Sequence, residues 1–290
     1  MFVPSLLANK RILITGGGSG LGKSIAMRYA ELGASVVICG RREAVLAETA
    51  EAISRVALCP VEFHICDVRD AEAVEAMMSR IWAQGALDVL LNAAAGNFIA
   101  RTERLSARAF DSILNIVLRG TAYCTLAAGR RWIEAKQPGA VLCVGTTSAL
   151  TGGPYSVASA SAKAGVVAMM RSLAVEWGPY GIRTAVVAPG LFPTPGAWEQ
   201  LFPAKATPEP QHMSVPLRRL GEHGELANLF AYLASDAASY ITGECFVIDG
   251  GRSRQGVNGN IARTLESWSD QDWQDFRNGC LLYTSPSPRD

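Results

Sequence analysis

Short apolar runs alternate along nearly the whole chain with longer stretches whose apolar residues recur every three or four positions. The short runs predict buried strands, and the longer period predicts helices that each turn one face to a sheet. Strands that alternate with helices pair in parallel, so the pattern predicts a doubly wound α/β fold with helices on both faces of the sheet. The predicted strands span residues 11–14, 35–39, 61–65, 88–92, 140–144, 183–188 and 244–248.

Helices are predicted between these strands, except where a proline-rich stretch, 189–215, predicts a loop or lid. Ser106 is expected to cap a long helix that runs towards residue 134, with a weak point at Gly120. Beyond the last strand, residues 261–278 predict a terminal helix. The remaining helices are predicted at residues 21–32, 42–56, 71–84, 157–177 and 225–234.

No internal repeat or long linker divides the chain, so we expect one domain over residues 1–279 that includes a C-terminal extension, 252–279. Residues 280–290 have no helical or strand period and resemble the translation of an adapter used in preparing sequencing libraries. We expect this tail to be non-native and without function. The first strand begins about ten residues into the chain, which leaves no room for a signal or transit peptide.

Composition excludes several classes of partner. The net charge of +1 gives no reason to expect nucleic acid or an anionic membrane surface. No apolar run reaches the roughly 18–20 residues that a membrane helix needs. The 7 cysteines lack CxxC spacing, and several stand in strand-like runs, so we expect reduced core residues of a cytoplasmic protein. His64, His212 and His223 have no spacing that indicates a metal or a catalytic triad.

A glycine-rich turn, Thr15-Gly-Gly-Gly-Ser-Gly-Leu-Gly22, joins the first predicted strand to the first predicted helix. Glycines let the backbone turn tightly and approach a pyrophosphate, and the first amides of a helix point at negative charge. The turn therefore favours a phosphate ligand, although a tight strand-to-helix connection alone has the same composition. The candidate ligand-binding residues are Gly16, Ser19, Gly20, Leu21 and Gly22.

The second predicted strand ends at Gly40-Arg41-Arg42, where the adenosine ribose of a dinucleotide would lie. An acidic residue there would bind the 2′-hydroxyl of NAD, whereas two arginines can pair with the 2′-phosphate of NADP. We therefore predict NADP(H) as the cofactor. The alternative is a pair of solvated arginines at an exposed helix N-terminus.

Further motifs stand at the ends of predicted strands and on the helix 157–177. They are Asp67-Val68, Asn92-Ala-Ala-Ala-Gly96, Ala162-Lys163, Pro189-Gly190 with Thr194, and Asp249-Gly-Gly251. With the glycine turn, they resemble the short-chain dehydrogenase/reductase family over residues 10–251, which implies a Rossmann-type sheet. The resemblance implies that Asp67 contacts the adenine and that Lys163 holds the nicotinamide ribose. The other cofactor contacts that it implies are Val68, Ala94, Pro189, Gly190, Phe192 and Thr194.

The catalytic positions of this family are changed here. The family's tyrosine, four residues before Lys163, is Ser159; its serine is Thr146, and its helix asparagine is Val117. A serine resembles water, with a pKa near roughly 15.7, whereas a tyrosine titrates near 10. The difference, on the order of 7 kcal/mol, makes Ser159 an unsuitable acid for the alkoxide of a reduced ketone. It can still orient a water or hydrogen-bond the substrate.

Reduction of a conjugated carbon–carbon double bond makes a different demand on the site. Hydride adds to carbon, and the charge moves to a thioester oxygen as an enolate that needs fixed hydrogen-bond donors. Because the proton reaches carbon later, a site without the tyrosine is compatible with this chemistry.

The residues after the fourth strand resemble the 2,4-dienoyl-CoA reductases. The matching segments include Ala94-Ala-Gly-Asn-Phe98, Thr102-Glu-Arg-Leu-Ser106, Ser159-Ala-Ser-Ala-Lys163, Gly196-Ala-Trp198 and Trp268-Ser-Asp-Gln-Asp-Trp273. In that family, the residue matching Asn97 hydrogen-bonds the thioester carbonyl. The alternative is a loop asparagine that satisfies its own backbone. The candidate contacts to substrate or cofactor are Arg69, Phe98, Ser106, Thr146 and Ser148.

This second resemblance also has departures. Ser148 stands where the mitochondrial enzymes have a catalytic tyrosine, and Val117 where the peroxisomal enzymes have an aspartate. Tyr155, in the loop that usually lines the substrate cavity, is a candidate substitute, or else a wall or interface residue. The basic lid residue of the mitochondrial enzymes is Gln200 here, which weakens the case for coenzyme A.

These observations predict an NADPH-dependent reductase that converts a 2,4-dienoyl-CoA to a 3-enoyl-CoA in fatty-acid degradation. Asn97, with Tyr155 or a water held by Ser159, would stabilise the dienolate, and Lys163 would orient the ribose and supply positive charge. The resemblance implies a homotetramer. The alternatives are a carbonyl reductase or alcohol dehydrogenase with Tyr155 as its acid, and a catalytically silent NADP-binding sensor or scaffold.

Overall fold

The computed structural model describes residues 2–195, 198, 201, 210–255 and 259–279. Within these residues a 7-stranded, fully parallel sheet has the order β3-β2-β1-β4-β5-β6-β7. The predicted doubly wound α/β fold is confirmed, with strand ends that differ by at most one residue from the predicted ones. The strands are β1 (Arg11–Thr15), β2 (Ser35–Gly40), β3 (Glu62–Ile65), β4 (Val89–Asn92), β5 (Gly139–Val144), β6 (Ile182–Pro189) and β7 (Glu244–Ile248).

Helices cover both faces of the sheet because the strand side chains alternate between two apolar cores. Ile12 and Ile14 of β1 belong to one core, and Leu13 between them belongs to the other. The first core is closed by α1 (Gly20–Glu31), α2 (Glu43–Ser54) and α8 (His223–Ala234). The second is closed by α3 (Ala71–Gln84), α5 (Gly120–Glu134) and α7 (Val157–Trp177).

The strand order reverses between β1 and β4, and this is the point at which doubly wound sheets bind their ligands. The two strand ends are tied together by Thr15, which is buried at the end of β1. Its Oγ1 accepts the backbone N–H groups of Ala93 and Ala94, both at 3.1 Å. The crevice between β1 and β4 therefore has a fixed width.

The long helix predicted after Ser106 forms, with an irregular turn inside it. Ser106 caps α4 (Ala107–Leu114) by accepting the N–H of Ala109 at 3.2 Å. A π-helical segment, Asn115–Arg119, then leads into α5, so the irregularity lies immediately before Gly120. A Cβ on Gly120 would lie 2.6 Å from Cγ2 of Val68, which shows why this turn needs a glycine.

One prediction about secondary structure was wrong. A single terminal helix was expected over 261–278, but the chain forms α9 (Gly259–Leu265) and α10 (Asp270–Gly279). Ser269 starts the second helix: its N–H donates to Oδ2 of Asp272 at 2.7 Å, and its Oγ accepts the N–H of Asp272 at 3.2 Å. The short helix α6 (Ser148–Thr151) was not predicted. In the proline-rich stretch, Gln211–Ser214 forms a 3₁₀ turn.

The chain packs as two compact units that meet in sequence at Gly250. The first, Met1–Gly250, contains the entire sheet and its helices. In the second unit, the ring of Trp268 packs on Trp273 and Phe276, with centroids 4.9 and 5.4 Å away. No helix among the described residues is long and apolar enough to cross a bilayer. The adapter-like tail, 280–290, lies outside the described residues.

Candidate active site

A cavity of about 420 Å³ lies at the carboxyl ends of β1, β2 and β4. The glycine turn forms one wall, and the chain that follows β6 forms another. Lys163, Pro189 and Gly190 do not line it. The predicted cofactor residues that do are Gly16, Ser19, Gly20, Leu21, Gly22, Arg41, Arg42, Asp67, Val68, Ala94, Phe192 and Thr194.

The glycine turn has the close backbone packing that a pyrophosphate site requires. Gly16 and Gly20 have φ angles of +67° and +54°, which side chains rarely allow. A Cβ on Gly16 would lie 2.7 Å from Cα of Ala94, and one on Gly22 would lie 2.5 Å from the Gly16 carbonyl oxygen. Because α1 starts at Gly20, its N-terminal amides lie at the cavity wall. These residues fit the phosphates of a dinucleotide.

Arginines surround the end of the cavity where the adenosine would lie. Arg41 and Arg42 are exposed, and Nη2 of Arg42 lies 3.5 Å from Oγ of Ser19. Arg69 points to Asp67: its Nε and Nη2 donate to Oδ1 and Oδ2 at 2.9 and 2.5 Å. This pairing lowers the pKa of Asp67. Arg69, predicted to contact substrate or cofactor, thus lies at the adenine end beside Asp67.

Lys163 lies next to this cavity, buried on α7 with Ser159 one turn before it. Its Nζ donates to the carbonyl oxygen of Val144 at 2.5 Å, and Val144 is a cavity residue. Burial lowers the pKa of Lys163 to about 8, against a smaller opposing effect of Cys143. A charged lysine with one protein acceptor retains two N–H donors for a ligand.

Asn97 lines a second, smaller cavity beyond β4, together with Phe98, Leu105, Ile113 and Tyr155. Its Oδ1 accepts the N–H of Phe98 at 2.9 Å, so the side chain does satisfy its own backbone. This bond also orients the amide. Among the residues that the structure describes, no acceptor bonds Nδ2, which leaves that group as a donor.

Tyr155 lies at the rim of the second cavity in a strained backbone conformation. Its φ angle is +60°, and its carbonyl accepts the N–H of Ala100 at 2.8 Å. Such conformations persist only where surrounding contacts impose them, and they are concentrated at functional sites. The side chain is 63% exposed. The structure therefore places Tyr155 beside Asn97 but outside the buried part of the site.

The remaining predicted substrate residues do not line either cavity, apart from Phe98. Thr146 accepts the N–H of Ser148 at 3.4 Å, and both stand just after β5. A Cβ on Gly153 would lie 3.2 Å from Oγ of Ser148, so this loop folds closely over the serine. Ser106 is an exposed helix cap. Of the motif at 196–198 only Trp198 is described, and Gln200 lies outside the described residues.

Sequence reasoning missed several residues of the cofactor cavity: Leu46, Cys66, Ile116 and Val144. They are apolar or buried and carry no motif, so only the strand order brings them together.

His64 is packed on the edge strand β3, with Nε2 3.7 Å from Oε2 of Glu62. Burial lowers the pKa of His64. The described residues contain no cluster of side chains that could hold a metal ion.

A doubly wound sheet with a glycine turn at its switch point, and a buried lysine beside that cavity, are typical of oxidoreductases that use a nicotinamide cofactor. Comparison with known proteins narrows the class. The family model described as enoyl-(acyl carrier protein) reductase matches residues 16–253. The chain belongs to the short-chain dehydrogenase/reductase family.

Several relatives carry a more specific name. A probable 2,4-dienoyl-CoA reductase [(2E)-enoyl-CoA-producing] of Bacillus subtilis is 44% identical over 85% of this chain and 97% of its own length. A probable 2,4-dienoyl-CoA reductase 3 [(3E)-enoyl-CoA-producing] of Caenorhabditis elegans is 39% identical over 94% and 89%. The crystal structure of a short chain dehydrogenase from Bacillus anthracis matches with a TM-score of 0.76 and 42% identity, over 84% of this chain and 96% of that chain.

Proposed function

We propose that this protein reduces 2,4-dienoyl-CoA thioesters with NADPH, in the degradation of unsaturated fatty acids. The observation that carries the proposal is the fixed amide of Asn97. Its oxygen is held by the backbone N–H of Phe98, and its Nδ2 is available in a small cavity. Serines occupy both positions where relatives of this fold carry a tyrosine acid, Ser148 and Ser159. Asn97 thus offers a donor for an enolate oxygen, and neither serine is an acid strong enough for an alkoxide.

Arg41, Arg42 and Ser19 would hold the 2′-phosphate of NADPH, because three donors converge at that end of the cavity. Lys163 would hydrogen-bond the nicotinamide ribose and place a positive charge near the substrate. When bound, the nicotinamide supplies the hydride, which adds to the distal carbon of the diene. Gly16 and Gly22 let the glycine turn pack closely on Ala94 and on itself, which would leave its backbone N–H groups for the pyrophosphate.

Nδ2 of Asn97 would donate to the thioester oxygen as negative charge develops there. A donor fixed before the reaction costs no reorganisation, and this is the main advantage of an oxyanion site. Ser159, buried one turn before Lys163, would hold a water near the substrate. Tyr155 at the rim would cover the acyl chain.

The position of the remaining double bond depends on which carbon receives the proton. Protonation next to the thioester gives a 3-enoyl product, and protonation at the fourth carbon gives a 2-enoyl product. We propose the 3-enoyl product, because Ser148 and Ser159 are both too weakly acidic to direct a proton to the fourth carbon, and the carbon next to the thioester carries the greater charge. Both product names occur among the relatives.

The decisive assay is NADPH oxidation with hexadienoyl-CoA against a panel of ketones, with identification of the enoyl product. We expect turnover of the thioester and none of the ketones. Turnover of ketones alone, abolished by Tyr155→Phe, would instead make the protein a carbonyl reductase whose acid is Tyr155. Tight NADPH binding without turnover of either group would make it a cofactor sensor or scaffold.

A further inference from the structure

His223, the first residue of α8, connects two distant parts of the cofactor cavity. Its Nε2 lies 2.6 Å from the carbonyl oxygen of Pro193, and its Nδ1 lies 2.7 Å from Oγ of Ser24. Because a carbonyl only accepts, Nε2 carries a hydrogen and donates to Pro193, while Nδ1 and the Ser24 hydroxyl form the second hydrogen bond. The imidazole therefore joins α8 to α1 and to the chain that follows β6.

Both partners of His223 lead to cavity walls. Oγ of Ser24 lies 3.2 Å from the carbonyl oxygen of Gly20, which is part of the glycine turn. Pro193 precedes Thr194, and a Cβ on Gly20 would lie 3.5 Å from Cγ2 of that threonine. Gly20 and Thr194 both line the cavity, so the imidazole lies behind the place where its two walls meet.

A second bond from the same segment reinforces this connection. The N–H of Gly221 donates to the carbonyl of Leu191 at 2.9 Å. Gly221 thus bonds the carbonyl before Phe192, that of Leu191, and His223 bonds the carbonyl after it, that of Pro193. A Cβ on Gly221 would lie 2.4 Å from Cζ of Phe192, so the ring is packed directly on this segment.

We propose that His223 is a positioning residue that holds Phe192 and Thr194 against the glycine turn and so shapes the nicotinamide end of the cofactor site. It acts through the carbonyl of Pro193 and touches no ligand itself. The inference rests on the cofactor site proposed above and is independent of the acyl substrate, so failure of the dienoyl-CoA assay leaves it intact.

The alternative explanation is that His223 only stabilises the packing of α8 on α1. The same two helices share a second side-chain bond, from Nε of Arg28 to Oδ1 of Asn228 at 2.9 Å. Asn228 lies farther along α8 and does not line the cavity. Asn228→Ala is therefore a matched control, because it removes a helix-to-helix bond without touching the Pro193 carbonyl.

The experiment measures the NADPH dissociation constant by fluorescence titration of the purified protein, with no acyl substrate present. We expect His223→Ala to raise the dissociation constant roughly tenfold, as the loss of about 1.4 kcal/mol of hydrogen bonding predicts. Asn228→Ala should change the dissociation constant less than about twofold. This substitution should nevertheless lower the unfolding midpoint of the cofactor-free protein about as much as His223→Ala does. Equal effects of the two substitutions on NADPH affinity would overturn the proposal.

Two conservative substitutions test whether the bond to Pro193 or the bond to Ser24 determines NADPH affinity. They also replace His223→Ala in the experiment if that variant fails to fold. The amide nitrogen of glutamine reaches the position of the imidazole Nε2, whereas asparagine reaches only as far as Nδ1. His223→Gln should keep the bond to Pro193 and bind NADPH within about threefold of the original protein, and His223→Asn should resemble the alanine variant. Asparagine that binds as well as glutamine would show that the Pro193 carbonyl is not the group that transmits the effect.

Discussion

Asn97 is the residue at which local structure and proposed chemistry meet. Its side-chain oxygen is engaged by the N–H of Phe98, so the direction of its amide nitrogen is set before any substrate arrives. An asparagine that satisfies its own backbone and an asparagine that binds a thioester were alternatives in the sequence. The geometry makes them compatible, because the two functions use different atoms of one amide.

Replacement of Asn97 by aspartate removes the Nδ2 donor and keeps the acceptor oxygen, so it tests the donor alone. The carboxylate can still accept the N–H of Phe98, so the loop keeps its shape, but the donor becomes a negative oxygen. We expect kcat for hexadienoyl-CoA to fall by about 10²–10³-fold, the usual effect of losing one oxyanion donor. NADPH affinity, measured by fluorescence, should be unchanged. A variant that retains more than a tenth of the original kcat would refute this role for Asn97.

We propose that Arg42 sets the preference for NADPH over NADH. Its guanidinium lies beside Ser19 at the adenosine end of the cavity and has no carboxylate partner in the described part of the chain. Arg42→Ala should weaken NADPH binding roughly tenfold and leave NADH binding unchanged, because only NADPH carries the 2′-phosphate. Arg55→Ala is the matched control. Arg42 lies directly before α2 and Arg55 directly after it, but Arg55 pairs with Glu51. Equal losses for NADPH and NADH would contradict the assignment.

The buried ammonium of Lys163 gives the reaction a pH limit. Burial lowers its pKa to about 8, so the charged form, which we propose donates to the nicotinamide ribose, predominates below this pH and is lost above it. We therefore expect kcat/KM, which reports the free enzyme, to decline as pH rises through about 8. Unfolding midpoints across the same pH range separate this loss from denaturation. Activity that stays constant well into the alkaline range would mean that the lysine charge is not required.

At the scale of elements, the turn between the π segment and α5 connects the helix to the cofactor site. Val68 lines the cavity and packs against Gly120, and there is no space for a side chain between them. The close approach of α5 to Val68 thus brings the helix into direct contact with a residue of the cofactor cavity.

Alanine at Gly120 tests this contact. Alanine improves helix propensity by up to about 1 kcal/mol, but a Cβ 2.6 Å from Val68 Cγ2 forces a shift that costs about 1–3 kcal/mol. We expect a net loss of unfolding free energy in urea, together with weaker NADPH binding. Gly224→Ala on α8 is the control, because a Cβ there meets no atom within 4 Å and should be neutral or stabilising. If both variants are equally stable, the close approach is not rigid.

At the scale of the whole molecule, the strands and most helices were predictable, because their periodicity is local and fully buried strands read as apolar runs. The glycine turn, Arg41 and Arg42 were also predictable, since these motifs follow strand ends. The connection made by His223 was not, because its partners Ser24 and Pro193 lie 199 and 30 residues away. The position of Tyr155 at the rim was not predictable either. It depends on a positive φ angle, and a tyrosine in the sequence does not indicate one.

Assembly is a property of the whole molecule, and we propose a homotetramer in which α4, α5 and α7 contribute to an interface. Two large apolar side chains on these helices are exposed in the single chain: Leu126 on α5 at 43% and Val175 on α7 at 81%. Burial of such side chains favours association, and a charge at the same place opposes it. We therefore expect static light scattering to give the mass of four chains for the original protein.

Val175→Glu and Leu126→Glu should shift that mass towards dimers or single chains, because a glutamate buried in an interface has no partner there. Val56→Glu provides the control, since Val56 is also exposed, at 41%, but follows α2, away from these helices. The control should keep the original mass and NADPH affinity. A monomeric original protein would rule out the tetramer. A tetramer whose mass neither Val175→Glu nor Leu126→Glu changes would place the interface elsewhere.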